Sequence, residues 1–237
     1  MSLLSWGTEP PDLASVSGCS GWSTGPATAP WPSTPRWRSA LASLAADVDH
    51  VVAAALPISG LTAWQALIDH ARVTAGQTVL IHGAAGAVGS IAVQLAREVG
   101  AVVIGTGRAA DREIALGLGV SAFLDLQADK LEDAGEVDVV FDVIGGDILD
   151  RSTALVRAGG TLVTISRVPT VQPKDGRAIF FVIEPDRSRL ADLAQRLRDG
   201  RLKPIVGAVR PLAEAPAAFG PDRRTPGKTI IQIIEGG

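Results

Sequence analysis

TVLIHGAAGAVGSIAVQLA, residues 78–96, decides the fold. Val79–Ile81 is an apolar run that reads as a buried strand. Gly83, Gly86 and Gly89 follow at intervals of three. A helical period then starts at once, with Val88, Ile91, Ala92, Leu95 and Val99 on one face. Strand, glycine turn and helix in direct succession is the geometry that cradles a pyrophosphate. One glycine permits the tight turn, one lets the backbone approach the phosphate, and one lets the helix pack closely on the strand. The amides and positive helix end at Ala87–Ser90 favour an anion by about 0.3–1 kcal/mol in exposed settings. A purely structural turn, or another Rossmann-type cofactor such as a methyl donor, fits the same pattern.

Working outward, strands and helices alternate. The pattern predicts helices over Val48–Leu56 and Leu61–Ile68 joined by a Pro57–Gly60 turn. After the glycine turn it predicts strands at Ala101–Thr106, Ala122–Leu126, Val137–Val143, Gly160–Ile165 and Ala178–Ile183. Helices fall at Asp111–Leu118, Ile148–Val156 and Arg187–Arg198. Near-continuous apolar strands such as VDVVFDV (137–143) are those of a sheet covered on both faces. The fold class is therefore α/β, a doubly wound parallel sheet with right-handed crossovers. The tail breaks the rhythm: Lys203–Arg210, a short helix at Ala213–Phe219, then Thr229–Ile234. It reads as part of a second, smaller unit.

The first 45 residues are unlike the rest. They hold Trp6, Trp22, Trp31 and Trp37, and a crowd of prolines, among serines and glycines with neither a period of two nor one of 3.6. They are expected to form a poorly ordered leader or to be a mis-translated one, a tryptophan-bearing binding segment being the other reading. The expected domains are 1–45, this leader; 46–200, a dinucleotide-binding domain; and 201–237, the tail unit.

Bulk properties exclude several classes. A net charge of −3 leaves no electrostatic footprint for nucleic acid. The single cysteine, Cys19, rules out an internal disulfide framework and a multi-cysteine zinc site. No run of ~18 apolar residues suggests a membrane span, and the N-terminus lacks the pattern of a secretory signal. A cytoplasmic location is the expectation.

The choice of dinucleotide is read at the end of the second strand, Ile104-Gly105-Thr106-Gly107-Arg108. An NAD site usually carries an acidic residue there, about 20 positions beyond the glycine turn. Here no carboxylate occurs before Asp111, while Arg108 and Arg112 lie in the loop. A guanidinium suits a 2′-phosphate and a carboxylate repels it, so NADP is expected. Of the histidines, His82 ends the first strand as either a hydrogen-bonded packing residue or a cofactor contact; His50 and His70 are given no role. Asp142 is read as structural rather than catalytic. No catalytic residue and no metal ligand is assigned.

Several ordered motifs together resemble the medium-chain dehydrogenase/reductase superfamily, and within it the zinc-independent quinone oxidoreductase branch with its related enoyl reductases. They are ALPISGLTAWQAL (55–67), IHGAAGAVG (81–89), VDVVFDVIGG (137–146), GGTLVTI (159–165), FFVIEPDRSRLADLAQRL (180–197), GRLKPIVGAVRPLAEAPAAF (200–219) and GKTIIQI (227–233). The resemblance covers about Asp47 to Ile234 and implies remnants of a GroES-like catalytic domain in the tail, most of that domain being absent. It implies that Thr62 lies near the cofactor at the domain cleft. Gly83, Gly86, Ala87, Val88 and Gly89 would line the pyrophosphate, and Thr106, Arg108 and Arg112 the ribose-phosphate loop. Val143 and Gly145 would lie on the adenosine ribose side, and Ser166, Phe181 and Val182 near the nicotinamide. It further implies hydride delivery to a small molecule with an electron-poor carbon, a quinone or an α,β-unsaturated carbonyl compound. A homodimer pairing sixth strands is implied as well; a cofactor-binding fragment without turnover is the alternative.

Overall fold

The structure is a computed structural model that describes residues 48–218 and 225–233. The leader expected over 1–45 lies outside the described residues. Two short helices come first, α1 (His50–Ala54) and α2 (Pro57–Trp64), the second continuing as a π-helical turn over Gln65–His70. Then follow β1 (Thr78–His82), α3 (Gly89–Glu98), β2 (Val102–Gly107), α4 (Arg112–Leu118), β3 (Ala122–Asp125) and β4 (Val137–Asp142). Next are α5 (Gly146–Ser152), β5 (Val156–Thr164), β6 (Arg177–Phe180) and α6 (Arg187–Arg198). The tail supplies β7 (Val206–Pro211), α7 (Ala215–Ala218) and β8 (Lys228–Gln232).

Six strands form one parallel sheet in the order β3-β2-β1-β4-β5-β6. The chain winds outward from β1 in one direction and, after β3, returns to wind from β4 in the other. The crossovers diverge between β1 and β4 and open a crevice at the carboxyl ends of the strands. Side chains alternate faces, so each strand feeds two cores. Val79, Ile81, Val139, Phe141 and Val163 pack with Leu67, Ile91 and Leu95 on one side. Leu80, Val140 and Leu162 pack with Leu149 and Leu155 on the other. Every one of these side chains is nearly or wholly buried, each worth roughly 1.5–3 kcal/mol in transfer free energy.

Four expectations shift. Pro57–Gly60 is not a turn but the start of α2: Pro57 occupies a first-turn position whose amide needs no partner. Gly60 sits inside that helix because a Cβ there would stand 3.0 Å from Leu193 Cδ1 of α6. The helix expected to reach Val156 breaks at Ser152 into a 3-10 turn, and Val156 already pairs with Val137 in the sheet. The sixth strand is Arg177–Phe180, shorter than Ala178–Ile183, because pairing with β5 ends at Phe180 opposite Thr164. The short helix of the tail starts at Ala215 rather than Ala213, after a 3-10 turn at Leu212–Glu214.

β7 and β8 pair in parallel as a sheet of their own, and α1 packs against both. This small layer is joined to the large sheet's crevice through Gly227, whose amide donates to the carbonyl of Ala85 at 2.9 Å.

Candidate nucleotide-binding site

Between β1 and α3 the backbone folds as the glycine spacing demands. Gly83 has φ of +67°, a left-handed conformation that favours glycine. The Gly86 amide donates back to the Gly83 carbonyl at 2.8 Å and closes the turn. A Cβ on Gly86 would stand 3.1 Å from that same carbonyl oxygen, and one on Gly89 would collide with it at 2.1 Å. Ala87 and Val88 carry the chain between them into α3. Among the described residues no side chain caps α3, and its first turn holds no acidic residue, so none of them neutralises its positive end. Ser90 Oγ, one residue into the helix, is buried without a hydrogen-bond partner among the described residues. A bare-backbone cradle, an uncapped helix end and an orphan hydroxyl together fit the diphosphate of a dinucleotide.

A groove of about 470 Å³ runs from this turn along the carboxyl ends of the strands. Gly83, Ala85 and Gly86 form its floor; Gly107, Arg108 and Asp111 form the wall beyond β2. Leu126 and Gln127 follow from the end of β3, and Ile144 from the end of β4. Thr225, Pro226 and Gly227 close the tail side, where Gly227 also makes a parallel bridge with Gly86. Of the residues singled out in the sequence, Gly83, Gly86 and Arg108 are brought together here. Asp111, Leu126, Gln127, Ile144 and the tail residues were not foreseen. A Pro226-Gly227 dipeptide marks a turn in sequence, but nothing local says that this turn docks on Ala85.

Two residues of the ribose-phosphate loop face elsewhere. Arg112 stacks its guanidinium 5.1 Å from the Phe123 ring centroid, donates to the Phe123 carbonyl at 3.1 Å, and pairs with Asp129 at 3.5 Å. It braces α4 against β3. Thr106 is fully buried, in register with His82 of β1. Its hydroxyl lies 2.9 Å from His82 Nδ1, and His82 Nε2 lies 2.7 Å from Ser152 Oγ. Ser152 donates its one hydroxyl hydrogen to the Ile148 carbonyl, so it accepts from His82. His82 is thus an Nε2–H tautomer, with Thr106 donating to Nδ1. Burial holds its pKa down at about 4, against a smaller raising influence from Asp142. His82 is a packing residue that ties β1, β2 and α5 together.

Asp142, completely buried at the end of β4, accepts from the amides of Ile144 and Gly145 and from the hydroxyls of Thr164 and Ser166. That network fixes the Val143–Gly146 loop at the crevice. Val143 packs against the turn, since a Cβ on Gly83 would stand 3.0 Å from its Cγ2. Gly145, with φ of +78°, leaves room for Ser166, whose Oγ a Cβ there would approach to 2.6 Å. Thr62 is buried in α2 and donates to the Ile58 carbonyl at 2.7 Å.

Phe181 and Val182 do not line the groove. They border a second depression of about 560 Å³ with Gln65, Asp69, His70 and Glu184. The Phe181 ring centroid lies 4.6 Å from that of His70, and Val182 is 72% exposed.

Comparison with known proteins finds a matching family and similar chains. Residues 118–231 match the family described as zinc-binding dehydrogenase. The chain is 33% identical over 216 residues to the spectinabilin polyketide synthase system protein NorB of Streptomyces orinoci, a match covering 81% of this chain and 10% of that protein. It is 30% identical over 191 residues to the quinone oxidoreductase of Pongo abelii, covering 72% of this chain and 58% of that one. A mycobacterial structure complexed with NADPH superposes with a TM-score of 0.71 at 28% identity, covering 80% of this chain and 66% of that one. The chain thus spans less than two thirds of the curated relatives it matches. Among the described residues no three His, Cys, Asp or Glu side chains are grouped to hold a metal ion, so the zinc in the family's description finds no fitting donor set there. No helix among them is long and apolar enough to cross a membrane.

Proposed function

The chain belongs to the medium-chain dehydrogenase/reductase superfamily, in its quinone-oxidoreductase-like branch, and from that premise we propose that it binds NADPH for reduction of a small molecule with an electron-poor carbon, a quinone or an α,β-unsaturated carbonyl compound. The observation that carries this reading is the uncapped end of α3 behind three glycines, at the point where the strand order reverses, with Arg108 on the same groove. The bound dinucleotide would supply the hydride. The amides of the glycine turn hold and orient the diphosphate, and Arg108 meets the 2′-phosphate. The Asp142 network keeps the Val143–Gly145 loop in place, with Ser166 beside it on the nicotinamide half. Thr62 lies near the cofactor at the domain cleft, Phe181 and Val182 near the nicotinamide, and residues 201–237 belong to the strands of a catalytic domain. Pairing of β6 with a second copy gives a homodimer.

A conjugated enoyl thioester is a carbonyl compound of the same electronic class and belongs among the acceptors to be tried. The test is titration of the full chain with NADPH and NADH by fluorescence, followed by NADPH oxidation on quinone, enone and enoyl-thioester panels. Binding with turnover on one of them supports the proposal. Binding with no oxidation on any panel replaces it with a cofactor-binding chain without turnover. Failure to bind either dinucleotide, or binding of a methyl donor instead, overturns it.

A further inference from the structure

The acid-free loop that argues for a 2′-phosphate in the sequence is not acid-free in space. Asp111, four residues beyond the last residue of β2, folds back over it. Its Oδ2 accepts from the Arg108 amide at 3.0 Å. A Cβ on Gly107 would stand 3.0 Å from the same oxygen, so the bare Gly107 backbone is what lets the carboxylate lie against the strand end. Asp111 lines the groove together with Gly107 and Arg108, whereas Arg112 is turned away onto Phe123 and Asp129. The wall beyond β2 therefore presents one guanidinium and one carboxylate, not two guanidinium groups. Among the described residues neither Arg108 nor Asp111 is in an ion pair.

We propose that Asp111 is a specificity-determining residue, which accepts a ribose hydroxyl and opposes a 2′-phosphate, so that among the described residues the preference for NADP over NAD rests on Arg108 and is modest. The inference rests on the dinucleotide reading above. Its chemistry is that of the acidic residue which elsewhere holds a ribose at the end of the second strand, reached here from a later position in the chain by a fold-back rather than from the strand end itself. The backbone hydrogen bond from Arg108 fixes one carboxylate oxygen and leaves the other to the ligand. A 2′-phosphate brought to the same wall would feel attraction to Arg108 and repulsion from Asp111 at once.

The experiment measures the affinities of the full chain for 2′,5′-ADP and for 5′-AMP, which differ only at the position in question. They are compared for the unaltered protein, D111N and R108A. D111N is nearly isosteric and keeps an oxygen to accept from the Arg108 amide; thermal melting of each variant verifies that it is folded. The expected result is a preference for 2′,5′-ADP that rises about tenfold in D111N and falls below that of the unaltered protein in R108A. The rise should shrink at high ionic strength, since it is electrostatic. Both nucleotides binding with an unchanged ratio in D111N overturns the role of Asp111 and leaves the dinucleotide reading intact. Neither nucleotide binding the unaltered protein overturns the dinucleotide reading itself, and the role of Asp111 with it.

Discussion

A Cβ placed on Gly89 stands 2.1 Å from the carbonyl oxygen of Gly83, far inside any non-bonded approach of carbon and oxygen. The start of α3 lies that close to the end of β1. Both partners are backbone, so no rotamer change relieves the clash. G89A is expected to cost about 2–4 kcal/mol of stability and to abolish NADPH binding by pushing the helix away from the turn. Urea unfolding and a fluorescence titration of the variant check both.

His82 should make stability depend on pH. Its folded pKa, about 4, lies below the ordinary value of 6.5 because the ring is buried. Between those values the unfolded chain takes up a proton that the folded chain refuses. The stabilisation is therefore fully present above pH 6.5 and lost as pH falls toward 4, amounting to about 3 kcal/mol at most. Denaturant midpoints across that range should slope downward toward acid. H82Q is less stable overall but should have lost most of the slope; an unaltered slope in H82Q counts against this assignment.

The two arginines of the loop should separate cleanly. R108A is expected to weaken NADPH binding about tenfold with little change in melting temperature, because an exposed side chain on the groove is lost. R112A should leave NADPH affinity within about twofold and cost roughly 1 kcal/mol of stability, because its stacking on Phe123 and its bond to the Phe123 carbonyl disappear. Parallel titration and melting of the two variants decides it.

Removing the Asp142 carboxylate strands four donors at once: two backbone amides and the hydroxyls of Thr164 and Ser166. D142A is expected to cost about 3 kcal/mol, and D142N, which keeps one accepting oxygen, roughly half as much. Hydrogen exchange at Ile144 and Gly145 should quicken in both, more in D142A.

The six strands and the glycine turn were legible because their signals are local. Val79–Ile81 and Val137–Val143 are apolar throughout, and glycine spacing reports a steric need met within a few residues. Helix ends were less legible: Pro57 reads as a turn residue in isolation, yet it opens α2 because a first-turn position asks for no amide. Thr106, at the end of β2, and Arg112, beyond it, are expected in the ribose-phosphate loop from their places in the chain. Register with His82 turned the first inward, and the Phe123 ring drew the second away.

The sequence by itself determined a doubly wound sheet with a dinucleotide cradle after β1, because periodicity and glycine sterics act over short spans of chain. Only the tertiary structure decided what surrounds that cradle: Asp111 folded back beside Arg108, Arg112 withdrawn to β3, and the Gly227 amide bonded to the Ala85 carbonyl from the far end of the chain. Those contacts depend on where separate elements dock, and no pattern confined to one element carries that information.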